Sequence, residues 1–177
     1  MCKLCETNPV YEFTNKRKLC KNCFIRWFDK KFLFTNRKFK LIKKGDSLVI
    51  RGEGYKKAVL EHILKKFKDK FLIEIKRKGN KIAFTDTIDT NSKEIIRILI
   101  NKNANQLNNL SPINKNNIKP FYLFLDEEVL LYAKLNKLKP DKLKDSKDKI
   151  KLFLDEIEKK HPEVKRAVVN SFLKLNS

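Results

Sequence analysis

Residues 47–64 read Ser47-Leu48-Val49-Ile50-Arg51-Gly52-Glu53-Gly54-Tyr55-Lys56 and then KAVLEHIL, and their reading decides the fold. The apolar run that follows Gly45-Asp46 has the length and β-branched content of a buried strand. Gly52-Glu53-Gly54 interrupts it, and a helix is predicted from Tyr55 to about Lys68, with Ala58, Val59, Ile63 and Phe67 on its inward face. A strand passing through a glycine-bearing turn into a helix is a building unit of α/β folds.

Downstream, Phe71–Ile75 alternates apolar and polar residues, and Lys76-Arg77-Lys78-Gly79-Asn80 leads into a further strand, Lys81–Thr85. A parallel crossover needs about a dozen residues, so these two strands are expected to form an antiparallel hairpin turning at Gly79-Asn80. Thr90 or Asn91 is expected to cap a helix through about Asn101, with Ile95, Ile98 and Leu99 inward. Residues 101–117 hold eight Asn and read as a mobile loop. Lys119–Leu125 reads as a strand or an extended lead-in, and Asp126 as the cap of a helix that buries Val129, Leu130, Tyr132 and Ala133. The charged stretch Lys139–Lys149, with Pro140, reads as a linker. Two helices follow, Ile150–Lys160 and Pro162–Leu175, with Pro162 suited to a first turn. His62 and His161 have no Ser, Cys or carboxylate at a catalytic spacing and are read as structural.

Upstream, Cys2, Cys5, Cys20 and Cys23 are the only cysteines, spaced C-x2-C-x14-C-x2-C. Each C-x-x-C pair can turn two sulfurs toward one point, and two pairs complete a tetrahedron. The alternatives are two disulfides, disfavoured inside a cell, or four free thiols in paired spacing by coincidence. One structural zinc ion is the expectation, because four cysteines leave no open coordination position. Val10, Tyr11 and Phe13 read as a short strand between the pairs. After Cys23, Phe24, Ile25, Phe28 and Phe32 share one helical face, and Arg26, Lys30 and Arg37 lie opposite. That basic face is either solvated or phosphate-contacting.

The net charge is +21, with 35 Lys against 7 Arg. A coding sequence biased toward A and T explains part of this excess. Its location is more telling: residues 1–44 carry 13 basic and 3 acidic side chains, a net of +10. Four zinc-bound thiolates would subtract two units and leave the segment strongly positive, which points to a polyanionic partner, nucleic acid first. Lys16, Arg17, Lys18, Arg26, Lys30, Arg37, Lys38 and Lys40 are the candidate RNA-binding residues. No run approaches a membrane span, and MCKLCETNP lacks the apolar run of a signal peptide. A cytoplasmic protein with no membrane partner is therefore expected. Three parts are expected: 1–44, a zinc-binding module and basic helix; 45–138, an α/β domain; and 139–177, a C-terminal helical segment.

In order, CFIRWFDKKFLFTNRKFKLIKKGD, SLVIRGEGYKKAVLEHIL, KIAFTDTIDTNSKEIIRILI and the stretch from IKPFYLFLDEEVLLYAKLNKL to LFLDEIEKKHPEVKRAVVNSFLKL resemble the TtuA-type tRNA 2-thiouridine sulfurtransferases of the PP-loop ATP pyrophosphatase superfamily. The resemblance covers about two-thirds of the chain. In that family a zinc finger and basic helix lead into the first strand, an SGGKDS loop follows that strand, and an A-T-G-H-N-x-D-D loop follows a later one. It also has a K-P-L and E-K-E-V-x-x-Y-A segment and a closing E-x-K-H-P-x-x-K. The resemblance implies an α/β fold: an N-terminal four-cysteine zinc ribbon-like module, then a truncated PP-loop-like α/β domain with a small sheet and C-terminal helices.

The departures from the family pattern are chemical. A phosphate loop needs glycines and N–H donors around the pyrophosphate. Here the loop is Arg51-Gly52-Glu53-Gly54-Tyr55-Lys56: Gly52 matches, but Glu53 sets a negative charge where phosphate would sit and the Lys-Asp-Ser end is gone. The family's cluster- or persulfide-bearing cysteines and its second zinc finger have no counterpart after Cys23, and Lys139-Pro140 stands where one such cysteine is expected. Of the second loop only Asp89 matches, as a cation ligand, helix cap or solvated group, and Asp86 stands at the His position. The expected function is therefore an RNA-binding zinc protein, tRNA first, related to tRNA thiolation enzymes and without their chemistry. It would act alone, as a homodimer or beside an active paralogue. Two alternatives stay open: a minimal sulfurtransferase whose partner supplies ATP and sulfur, and a zinc-ribbon module that binds protein.

Overall fold

The structure, a computed structural model, describes residues 1–138 and 148–175. The expected linker, apart from its last two residues, lies outside these. Two short strands, β1 (Tyr11–Glu12) and β2 (Lys18–Leu19), pair antiparallel. They lead into α1 (Lys21–Phe39), whose Phe24, Phe28 and Phe32 are fully buried. Helix α1 stops without a glycine: Lys40 turns left-handed at φ 51°, and the Asn36 side chain accepts the Ile42 N–H at 2.8 Å.

The body is a five-stranded sheet in the order β4-β3-β5-β7-β6. Its elements are β3 (Ser47–Arg51), α2 (Gly54–Lys66), the one-turn α3 (Lys68–Phe71), β4 (Glu74–Ile75) and β5 (Lys81–Phe84). After these come α4 (Ile88–Ile100), a 3-10 segment (Ala104–Leu110), β6 (Ile113–Asn114), β7 (Asn117–Ile118), α5 (Asp126–Leu135), α6 (Lys149–Lys160) and α7 (Val164–Leu175). Strands β4, β3, β5 and β7 run parallel, and only β6 is antiparallel.

Several expectations are corrected. The hairpin between Phe71–Ile75 and Lys81–Thr85 does not form, because β4 and β5 lie on opposite sides of β3, both parallel to it. Residues 76–80 suffice because they pass beside the start of β3 instead of carrying a helix. Gly79 allows that passage: a Cβ there would stand 2.4 Å from the Ser47 carbonyl oxygen. Asn80 then fastens the crossing, its Oδ1 accepting the Ser47 N–H at 2.9 Å. Phe71 belongs to α3, not to a strand. Helix α4 begins three residues early, with the Thr87 hydroxyl at its N-cap accepting from Thr90 N, and Leu99 is 54% exposed. The Asn-rich stretch folds into the 3-10 segment and the β6–β7 hairpin. Of the two readings of residues 119–125 the strand does not form: residues 120–123 turn, and an extended Leu125 leads into α5. Asp126 opens α5 instead of capping it, and Glu128 reaches back to accept the Leu125 N–H at 2.9 Å.

One core joins Leu48, Ala83 and Ile118 of the sheet to the phenylalanines of α1, to Val59, Leu60 and Ile63 of α2, and to Val129 and Tyr132 of α5. The Phe28 ring lies 4.1 Å from Tyr132 and 4.6 Å from Phe124. A smaller core sets Ile88 and Ile95 of α4 against Val169 and Phe172 of α7, with Tyr122 and Leu125 between them. No described helix is long and apolar enough to cross a membrane.

Candidate metal centre and nucleic-acid cleft

The β1–β2 hairpin and the start of α1 bring the four cysteines together. Lys3 N donates to Lys18 O at 3.0 Å and Cys2 N to Thr7 O at 2.8 Å, folding the first C-x-x-C over the hairpin. Cys20 precedes α1 and Cys23 sits in its first turn, where the helix dipole favours a thiolate. The four sulfurs lie within 4.8 Å of one another, with Cys5 Sγ 3.3 Å from Cys20 Sγ and 3.6 Å from Cys23 Sγ. One tetrahedral ion with metal–sulfur bonds of about 2.3 Å would hold them about 3.8 Å apart. The arrangement fits a single ion. Thr7 and the Cys23 N–H hold the Cys20 thiol down at about 6, while burial and the neighbouring thiols push Cys23 up to about 12. Thiolates this close repel, and a cation among them removes the conflict.

At the carboxyl ends of the strands, where α/β proteins commonly bind ligands, side chains satisfy one another. Lys56 Nζ is 2.6 Å from Asp126 Oδ1 and close to the Thr87 and Thr90 hydroxyls, and Thr87 donates to the same carboxylate. Asp89 accepts the Asp126 N–H at 2.8 Å through one oxygen and Lys165 Nζ at 2.7 Å through the other. Lys165, 5% exposed, also meets Asp155 and Glu158, each at 2.6 Å. Burial opposes its charge, yet the three carboxylates hold its pKa above the usual lysine value. Asp89, Asp155 and Glu158 are close enough for a metal, but the ammonium takes that place. Gly52, at φ 151°, lets the loop collapse onto β5, since a Cβ there would stand 2.3 Å from Thr85 Oγ1. Asp86 pairs with Lys119 at 3.3 Å.

A cleft of about 650 Å³ lies between the β1–β2 hairpin, α1 and α7. Tyr11, Phe13, Trp27 and Phe34 supply its aromatic surface, and Arg17, Lys30, Lys31, Lys38 and Arg166 its cations. Glu128, fully buried, is gripped by Lys31 at 2.6 Å and Arg166 at 2.9 Å. Burial brings Lys31 down to about 8 against the pull of that carboxylate. Tyr11 donates to Glu127 at 2.8 Å and Thr14 to Glu163 at 2.5 Å, tying the hairpin to α5 and to the start of α7.

Of the eight candidate RNA-binding residues, three, Arg17, Lys30 and Lys38, line this cleft. Arg17 lies over Phe13 at 4.4 Å, and its buried Nε has no hydrogen-bond partner. Lys16 and Lys18 pair with Glu12 at 3.6 and 3.2 Å. Arg26, Arg37 and Lys40 are exposed outside the cleft lining. Sequence reasoning missed Trp27, Phe34 and Arg166. A signal was present for the first two: both fall off the 24-28-32 stripe that makes the core.

No known family profile matches the sequence, and no curated protein matches it. The architecture nevertheless has a likeness among solved structures: a mixed α/β fold with four clustered cysteines at its N-terminus and helices at its C-terminus. Its likeness is to the solved structure of the U34-tRNA thiolase NcsA from Methanococcus maripaludis with its 4Fe-4S cluster. The TM-score is 0.77 at 17% identity, over 98% of this chain and 86% of that one. At that identity the likeness establishes the fold.

Proposed function

We propose that this protein is a single-zinc, RNA-binding relative of the tRNA thiolation enzymes that has given up their nucleotide and sulfur chemistry, with tRNA as its first candidate partner. It would act alone, as a homodimer or beside an active thiolating paralogue. The observation that carries the reading is the state of the sheet's carboxyl rim. Lys56, at the end of the loop that stands at the PP-loop position, is held by Asp126, and Asp126 is tied in turn to Asp89, which Lys165 holds. Glu53 is exposed at the N-cap of α2, where an anion-binding helix end would hold its ligand. Zinc suits the cysteine centre better than an iron–sulfur cluster. Sulfurs within 4.8 Å of one another surround one ion and are too close to sit at the corners of a multi-iron cage.

Salt-dependent tRNA binding tests this. Each phosphate contact adds a slope of up to about −0.9 in log K against log salt, so four to six contacts cost on the order of a hundredfold over a fourfold rise in salt. Replacing Arg26, Lys30 and Arg37 together with Glu should weaken binding far more than the same change at exposed Lys65, Lys70 and Lys115. Equal losses would mean that bulk charge alone matters, and the α1 face would be wrong.

A further inference from the structure

We infer that the cleft between the β1–β2 hairpin, α1 and α7 receives unpaired nucleotides, a base stacked on Phe34 and the phosphates set against Arg17, Lys30 and Lys38. This rests on the RNA-binding reading and makes it specific: the ligand is single-stranded.

Phe34 is 47% exposed on a helix whose Phe24, Phe28 and Phe32 are fully buried and whose Phe39 is half-buried. An aromatic ring left in water beside cations serves an unpaired base, because every base has a π-face whereas a duplex hides its own. Lys30 and Lys38 stand one turn before and one turn after Phe34. Four residues of helix rise about 6 Å, so each cation lies on the scale of one nucleotide step from the ring. Trp27 and Phe13, which meet edge to face at 4.9 Å, are already covered, Trp27 by Lys31 at 4.8 Å and by stacked Tyr11, Phe13 by Arg17 at 4.4 Å, so they wall the cleft and leave Phe34 as its exposed ring. Lys30, Lys38 and Arg17 have no ion-pair partner among the described residues, unlike Lys31 and Arg166, which both pair with Glu128. The cleft therefore presents two exposed unpaired cations at its mouth, Lys30 and Lys38, and one half-buried unpaired cation, Arg17, within. Its volume of about 650 Å³ falls in the usual range for small-ligand sites, about 300–1,000 Å³, which admits nucleotides one or two at a time and not a helix.

Trp27 is the only tryptophan, so its emission reports directly on the cleft. Titrating the metal-loaded full chain with a short oligouridylate should quench Trp27 saturably. A duplex RNA of equal phosphate content, or an acidic peptide, should leave it unchanged. Phe34→Ala should weaken oligouridylate binding about fivefold or more with no change in melting temperature. Lys30→Gln and Lys38→Gln should each lower the salt slope by about one. If RNA binds but Trp27 emission does not move and Phe34→Ala is silent, the cleft is wrong while the RNA-binding reading stands. If the acidic peptide quenches as well as the oligouridylate, the site reads only charge and the inference falls. If no RNA binds at all, both readings fall together.

Discussion

The carboxyl rim of the sheet and the cleft beside α1 both carry lysines, and they use them in opposite ways. At the rim each ammonium has its carboxylate inside the chain: Lys56 has Asp126, and Lys165 has Asp89, Asp155 and Glu158. In the cleft the cations at the mouth lack such partners, and an aromatic ring stands in water between two of them. A buried charge without a partner is costly. The rim's charges are therefore satisfied within the fold, whereas Lys30 and Lys38 at the mouth of the cleft are exposed and left open to a partner from outside, as the proposed reading requires. Charge density alone would not separate the two regions, but the location of the counter-charges does.

The largest effect should come from destroying one wall of the cleft. Stripping the metal, or Cys20→Ser, should remove roughly 10 kcal/mol or more of folding energy from the N-terminal module. Amide exchange should then show residues 1–23 and the cleft-facing hairpin opened while the sheet stays protected. Metal analysis should give about one zinc per chain, and an iron–sulfur absorption band would overturn the assignment. A smaller contrast comes from removing one lysine at each site. Lys165→Met leaves three carboxylates facing one another and should destabilise the fold by about 2–4 kcal/mol. Lys30→Met, at an exposed cation, should change stability by no more than about 0.5 kcal/mol and be felt only in RNA binding. Similar melting shifts for the two would erase the distinction. The smallest effect expected is none: Mg-ATP should leave the melting temperature where it is. A rim that still bound nucleotide would gain about 2.7 kcal/mol at a hundred times its dissociation constant, and a shift of that size would restore the enzyme reading.

Much of this contrast was legible in the chain. The cysteine spacing, the strand-to-helix unit at residues 47–64 and the core stripe of Phe24, Phe28 and Phe32 are short-range patterns, and periodicity reads such patterns. The sheet order was not legible. A five-residue link after a strand argues for a hairpin, and only the passage of Gly79 past the Ser47 carbonyl lets it serve another topology. Pairs such as Lys165 with Asp89, or Tyr11 with Glu127, join residues distant in sequence that no local spacing connects. Density singles out the eight basic candidates, and density carries no sign that Glu12 pairs with two of them or that Lys30 and Lys38 flank Phe34.

The cleft shares a wall with the metal centre. The hairpin that carries Tyr11 and Thr14 is folded by the cysteines at one end and bonded to Glu127 and Glu163 at the other. Under the proposed reading, anything held between that hairpin and α7 would be thermodynamically linked to an ion at the cysteines. If loading the metal raises the affinity of the cleft by some factor, filling the cleft raises the affinity for metal by the same factor, because the coupling is reciprocal. On the proposed RNA-binding reading, and with that factor above one, a chelator should strip the free protein before the RNA-bound one.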